Sequence, residues 1–379
     1  MKSNLKVATI IGTRPEIIRL SSTIKLLDEH LTQVIIHTGQ NYDYELNQIF
    51  FDDLGLRKPD YFLEVDTSSV GKVYGETISK SEEVLLKEKP DAVLILGDTN
   101  SSIAGIIAKR MRIPIYHMEA GNRCFDFNVP EEINRRIIDH VADFNLVYTE
   151  HARRHLISEG LPHRRIYLTG SPMKEVLTAN MEKIERSDIL NTLKLKKNEY
   201  FIVSTHREEN VDNKENLLKI LTILNRLAEK YNYPVIVSTH PRTKKRLEML
   251  DGVEFSDKIQ FLKPFGFFDY VNLQMNATAA ISDSGTISEE SSMLSFPAIS
   301  LRESMERPEA QDVGTIILTG FDPDVVLDSI EICIKEHELN GSYARIAEDY
   351  TIENTSWRVL KLIMGTAKLS NGWWGIKKR

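Results

Sequence analysis

At 379 residues the chain is too long for one ordinary core, and about two domains are expected. Apolar residues at 41% and charged residues at 27% are the balance of a soluble globular protein, and the net charge of −7 argues against a general nucleic-acid or membrane-surface binder. Any anionic ligand must therefore be captured by local Arg and His. Cys124 and Cys333 lie far apart, so no disulfide framework is indicated. The apolar run Val7 to Ile11 is too short for a signal h-region, and nothing approaches the roughly 18 apolar residues of a membrane span. A cytoplasmic location is expected.

In chain order, LKVATII at 5–11 reads as a buried strand, followed by GTRPE and an amphipathic helix. VIIHTG at 34–39 is the next strand. Helices are expected around 43–54 and 74–88, the second ending at Lys89-Pro90. DAVLILGD at 91–98 and IPIYHM at 113–118 are strands on either side of a small-residue helix at about 101–111. After a polar loop and a helix near 133–138, ADFNLVYT at 142–149 and RIYLTG at 165–170 continue the alternation. From Gly170 to about 198 the pattern pauses in a charged segment. It resumes with YFIVST at 200–205, a helix at 214–230, PVIVST at 234–239, IQFLKP at 259–264, TAAISD at 278–283 and AISLR at 298–302. Such alternation implies mostly parallel sheets covered by helices, in two doubly wound α/β domains. The expected division is 1–170, 171–354, and a helix and tail at 355–379 that returns to the first domain. The tail, with Trp373 and Trp374, is read either as a frayed basic end or as a subunit contact.

Polar groups gather at the ends of these strands, where open α/β sheets place their ligands. Gly12-Thr13-Arg14-Pro15-Glu16 joins the first strand to the first helix. Its N–H groups with Arg14 and Arg19 suit an anion, although ordinary capping explains the pattern too. Asp98 is either an N-cap or a carboxylate beside Glu119 from the next strand end. The loop after that strand carries Arg123, Glu131, Glu132, Asn134 and Arg135, either a salt-bridged surface or a working cluster. In the second half, His206, Arg207 and Asn210 follow one strand, and His240-Pro241-Arg242 repeats the arrangement one unit later. Ser284-Gly285-Thr286 turns into a helix whose N–H groups suit an anion, with Glu290 a turn inside to accept from a ribose diol. The plain alternative is a well-capped helix. Arg302 and Arg307 follow the last strand. No metal-ligand spacing and no G-x-S-x-G elbow is present.

GTRPE at 12–16, GDT at 97–99, EAG at 119–121, PEE-x-NR at 130–135, HR-x-EN at 206–210, DSG-x-I-x-EE at 283–290 and ERPE at 306–309 occur in one order across nearly the whole chain. Together they resemble the non-hydrolysing UDP-N-acetylglucosamine 2-epimerase family. The resemblance implies two Rossmann-like domains facing across a cleft, the glycosyltransferase B arrangement, usually as a homodimer without a cofactor. It implies removal of UDP from a UDP-sugar and its return after C2 has been inverted. Once C1–O cleavage runs ahead, C1 is oxocarbenium-like, and a carboxylate can take the C2 proton. Carried over by motif, Asp98, Glu119 and Glu131 are the acid, base and cation-stabilising carboxylates, and His206 sits at the leaving phosphate. Arg14, Ser284, Gly285 and Glu290 bind UDP, and Tyr270 packs on uracil.

Departures from the family pattern are Arg19 in place of a Lys, Asn41 in place of a His, and Asn122-Arg123-Cys124-Phe125-Asp126 after EAG. The last resembles a branch that makes UDP-N-acetyl-L-fucosamine from UDP-2-acetamido-2,6-dideoxy-L-talose for capsule or O-antigen. Phe125 and Phe127 there either cover a deoxy C6 or pack in the core. The alternatives are interconversion of UDP-N-acetylglucosamine and UDP-N-acetylmannosamine, a hydrolysing epimerase, a retaining glycosyltransferase, and a non-enzymatic sugar-nucleotide sensor.

Overall fold

A computed structural model describes residues 2–39, 50–239, 241–247, 249, 255–340 and 346–376. Asn41, His240 and most of the helix expected at 43–54 lie outside the described residues. The chain forms two compact units, Met1–Leu177 with Thr351–Arg379, and Thr178–Tyr350.

The first unit is built on β1 (Lys6–Ile11), β2 (Thr32–His37), β3 (Tyr61–Phe62), β4 (Ala92–Leu96), β5 (Ile115–Met118), β6 (Phe144–Val147) and β7 (Ile166–Leu168). They lie in the order β3-β2-β1-β4-β5-β6-β7, and every recorded pairing is parallel. Parallel strands buried on both faces need continuous apolar runs, and β4 (AVLIL) is buried throughout. The second unit repeats the plan with β8 (Phe201–Ser204), β9 (Val235–Ser238), β10 (Ile259–Leu262), β11 (Ala279–Ser282), β12 (Ala298–Ser300) and β13 (Ile317–Leu318), ordered β10-β9-β8-β11-β12-β13 and again parallel. Strand order reverses between β1 and β4 in one sheet and between β8 and β11 in the other. Those are the two switch points, where the chain diverges on either side and leaves a crevice.

Helix ends follow local chemistry. Ser69 caps Val70–Glu88 by accepting from Lys72 N, and the helix stops at Lys89 in the left-handed region, before Pro90. Asn213 and Asn232 bracket Lys214–Tyr231 in the same way.

Three features depart from the sequence reading. The expected pause after Gly170 holds a helix, Met173–Glu185, and a short one, Ile189–Thr192. Met173, Val176, Leu177 and Ile184 are buried at helical spacing, but the charges between them mask the stripe. Tyr61–Phe62 adds an edge strand too short to show in sequence. The tail is not frayed as far as residue 376. Ser370–Trp373 is a helical turn, and the Arg165 guanidinium lies 4.3 Å from the centre of the Trp374 ring and 5.1 Å from that of Trp373. The helix Thr355–Thr366 belongs to the first unit, where Thr355 Oγ1 donates to Thr169 O at 2.9 Å and Ser356 shares a hydrogen bond with Thr23.

Candidate active site

In the first unit the turn after β1 and the turn after β4 are tied by one carboxylate. Glu16 accepts from Gly12 N at 3.0 Å, from Thr13 Oγ1 at 2.8 Å, and from the Ser101 hydroxyl. Burial pushes the Glu16 carboxyl above its usual range, and these donors offset part of that rise. Arg14 opens the first helix half-buried, its guanidinium 5.7 Å from the Phe50 ring centre.

Asp98 follows Gly97, whose φ of +71° makes the left-handed turn that a side chain would strain. Its carboxylate is half-buried and takes Arg135 Nε at 2.9 Å with a second contact from the same guanidinium. Asn134 Nδ2 donates to Asp98 O at 2.9 Å and so fixes the backbone too. Glu119 is itself left-handed at φ +64°, an uncommon conformation for a residue with a Cβ. Arg19 pairs with its carboxylate, and Asn122 Nδ2 donates to it at 3.4 Å.

The neighbouring glutamates of Pro130–Val141 separate clearly. Glu132 is fully buried and accepts from Cys124 N, Arg135 and Arg136. Glu131 is half-exposed and close enough to raise the Tyr74 hydroxyl, after the larger effect of burial there. Of the two, Glu131 is the more exposed.

Arg123, expected among the substrate contacts, is turned the other way. Its guanidinium is sealed between Asp139 at 2.7 Å and Glu159 at 2.7 Å, where it holds the loop instead of presenting a charge.

At the switch point of the second sheet the organising group is Asp283, fully buried. It accepts from His206 N at 3.0 Å, Arg207 N at 3.0 Å and Asn210 Nδ2 at 2.8 Å, while Arg207 Nε donates to its carbonyl. His206 Nδ1 lies 3.3 Å from the same carboxylate, and 43% of the His206 side chain is exposed. Asn210, expected to touch substrate, is itself buried on Asp283.

The Ser284 hydroxyl accepts from Thr286 N and shares a hydrogen bond with Thr286 Oγ1. Beside that turn Arg302 and Arg207 pair with Glu306, and Arg307 with Glu289; of these five residues all but the half-buried Arg207 are buried. Arg302 and Arg307 thus brace the turn from behind. Glu290 accepts from Gln274 Nε2 at 2.8 Å. Tyr270 is held at the strand ends, its hydroxyl bonded to Ser204 and Ser282; burial and the nearby Glu290 push that hydroxyl up.

The sequence assigns no individual role to Glu16, Glu132, Asp283 or Arg135. Each lies inside a recognisable motif, but its part in the fold is visible only from its partners, distant ones for Glu16 (Ser101), Arg135 (Asp98) and Asp283 (His206, Arg207, Asn210) and nearby ones for Glu132. A cavity of about 320 Å³ opens at the carboxyl ends of β9 and β10, lined by Thr239, Lys244, Leu247, Phe255 and Phe261 among others. A larger one, about 920 Å³, lies at the amino ends of β4 and β5, away from the carboxylates. Among the described residues no His, Cys, Asp and Glu group is placed to hold a metal, and no helix is long and apolar enough to cross a membrane.

The family profile described as UDP-N-acetylglucosamine 2-epimerase matches residues 25–364. A UDP-N-acetylglucosamine 2-epimerase from Methanocaldococcus jannaschii is 38% identical over 341 residues, spanning 88% of this chain and 93% of that one. The structure of UDP-N-acetylglucosamine 2-epimerase from Rickettsia bellii is similar at a TM-score of 0.92 and 52% identity, covering 97% of this chain and 98% of that one. That of the Methanocaldococcus jannaschii UDP-GlcNAc 2-epimerase in complex with UDP-GlcNAc and UDP has a TM-score of 0.88 and 34% identity, covering 95% and 100%. The two parallel-sheet units are thus of the glycosyltransferase B kind. The chain belongs to the non-hydrolysing UDP-N-acetylglucosamine 2-epimerase family and is an isomerase, a UDP-sugar 2-epimerase.

Proposed function

We propose that the chain inverts C2 of UDP-2-acetamido-2,6-dideoxy-L-talose, giving UDP-N-acetyl-L-fucosamine. The C1–O bond breaks first, its electron pair leaving with UDP, and a carboxylate takes the C2 proton. A second group returns a proton to the opposite face, and UDP adds back at C1. Asp98, Glu119 and Glu131 are the groups for these proton transfers and for the cationic C1. His206, Arg207 and the Ser284-Gly285-Thr286 turn hold the diphosphate, with Arg14 and Arg19 adding positive charge and Glu290 on the ribose. The setting proposed with this is cytoplasmic sugar-nucleotide synthesis for capsule or O-antigen, by a homodimer that needs no cofactor.

The observation that carries the choice of sugar is the exposure of Phe125 and Phe127, 66% and 67%. Core packing does not account for them. They flank the Arg136 guanidinium at 5.9 and 5.3 Å, and Phe125 is held at φ +55°. Two open aromatic faces on the loop after Glu119 suit a sugar whose C6 carries no hydroxyl. The second reading, interconversion of UDP-N-acetylglucosamine and UDP-N-acetylmannosamine, is supported by the names of the relatives.

Incubation with each UDP-sugar in heavy water, without acceptor, separates these readings. Deuterium at C2 of intact UDP-sugar, fastest with the 6-deoxy-L-talose compound, is expected. Exchange with UDP-N-acetylglucosamine alone would replace the first reading by the second. Free sugar would mean that water traps the intermediate, and no change at all would leave transfer or sensing.

A further inference from the structure

His117 lies on β5, two residues before Glu119, and is fully buried. Its Nε2 is 2.8 Å from Gly97 O; a carbonyl only accepts, so Nε2 donates there. Its Nδ1 is 3.0 Å from Asp139 Oδ1, a close polar contact without hydrogen-bond alignment. Asp139, on the helix Pro130–Val141, also accepts from Gly121 N at 3.2 Å and from Arg123 at 2.7 Å. Burial alone would push the Asp139 carboxyl up, but His117 and Arg123 outweigh it and hold it below the usual range.

The two glycines at the ends of this chain of contacts are both left-handed, Gly97 at φ +71° and Gly121 at φ +83°. Gly97 immediately precedes Asp98, and Gly121 closes the EAG turn that begins at Glu119. A Cβ at Gly121 would sit 2.4 Å from Ala152 O, so that turn has no slack of its own.

We propose that His117 and Asp139 are positioning residues: the ring ties the turn at Gly97 to the turn at Gly121 and so fixes the aim of Asp98 and Glu119. Neither side chain is exposed to substrate. A misplacement of about 1 Å at reacting groups costs on the order of 10²-fold in rate, so a tie of this kind acts on kcat. The inference rests on the epimerase reading of Asp98 and Glu119, and wild-type exchange at C2 in heavy water tests that reading first.

The variants then separate the two ring nitrogens. The amide nitrogen of Asn lies near the place of Nδ1 and that of Gln near the place of Nε2. His117→Asn keeps the contact to Asp139 and loses the one to Gly97. It is expected to lower kcat about 10²-fold while KM and UDP affinity stay within about twofold. His117→Gln, which still reaches Gly97 O, is expected to recover kcat to within about tenfold of wild type. Should His117→Asn fail to fold, Asp139→Asn takes its place, with kcat at least about tenfold down and UDP affinity unchanged. Wild-type kcat in a folded His117→Asn or Asp139→Asn protein would overturn the proposal. Equal losses in the Asn and Gln variants, with UDP affinity falling in step, would also overturn it, because that is the mark of a residue that only supports the fold.

Discussion

β4 and β11 occupy the same place in their sheets, next to the strand where the order reverses, and each is followed by an aspartate. Asp98 is half-buried and paired with one arginine. Asp283 is sealed, with two backbone N–H groups and an asparagine amide all donating to it. The next strands diverge as well, since β5 leads to Glu119 and β12 to Arg302. One plan of strands therefore presents partly exposed, arginine-paired carboxylates in the first unit. In the second the carboxylates are spent on orienting donors. Position in an open sheet tells where polar groups gather; the burial and pairing of the carboxylates there tell which of them remain partly exposed.

The largest test is to neutralise the partly exposed carboxylates. Asp98→Asn and Glu131→Gln are each expected to lower exchange at C2 about 10³-fold, within the range for a general acid or base, with UDP affinity within about twofold of wild type. Calorimetry with UDP and deuterium incorporation in the same preparations check this. Full exchange in either variant would remove that residue from the proton transfers and blur the contrast between the units.

The complementary change is Asp283→Asn. Its carbonyl can take the place of Oδ2, but the charge is lost, so three charge-assisted hydrogen bonds become neutral ones while the amide turns toward His206, and the expected loss is about 4 kcal/mol of stability. Denaturant unfolding measures that loss, and UDP calorimetry should show weakened binding in whatever fraction stays folded. A variant with wild-type stability and UDP affinity would mean that the turn does not depend on Asp283.

Much of this contrast was legible before the fold was known, and the remainder has identifiable causes. The strands showed because parallel, doubly covered strands are nearly all apolar, as β4 is. Asp98 and Glu119 showed as motifs at strand ends, and Glu131 as a motif at the start of a helix. What did not show was burial. Glu131 and Glu132 are adjacent, and no periodicity separates the half-exposed one from the sealed one. Arg123 in a polar loop looks the same whether it faces a ligand or closes on Asp139 and Glu159. Asp283 acquires its role from residues 73–77 positions earlier, a distance at which a single sequence carries no sign of contact.

A smaller effect distinguishes β2 from its counterpart β9. β9 ends in Ser238, whereas β2 ends in His37, fully buried, its ring centre 4.8 Å from that of Phe62 and its Nδ1 accepting from Gly39 N. Burial lowers the His37 pKa to about 4 from the ordinary 6.5. The fold thus favours the neutral ring. Its contribution is fully present above pH 6.5, is lost as pH falls towards 4 while the unfolded chain takes up the proton first, and is level below that. The full difference is about 3 kcal/mol. Between pH 7 and pH 4 the wild type should lose about that much more stability than His37→Phe in chemical denaturation. Parallel losses would show that the ring is not held neutral.

The finest test lies at the Ser284-Gly285-Thr286 turn, proposed above to hold the diphosphate. A Cβ on Gly285 would sit 3.0 Å from Glu306 Oε2 and 3.6 Å from Arg307 Nε. The backbone there is not left-handed, so Gly285→Ala carries no conformational strain and acts through crowding alone. Glu306 cannot swing away freely, because Arg302 and Arg207 hold its carboxylate at 3.0 and 3.2 Å. The turn must therefore shift by a few tenths of an ångström, at a cost of about 1 kcal/mol. That displacement should weaken UDP about fivefold and leave C2 exchange at saturating substrate unchanged. An unaltered UDP affinity would separate the turn from the nucleotide. A fall in saturated exchange would carry proton handling into the second unit, against the division of labour drawn from Asp98 and Asp283.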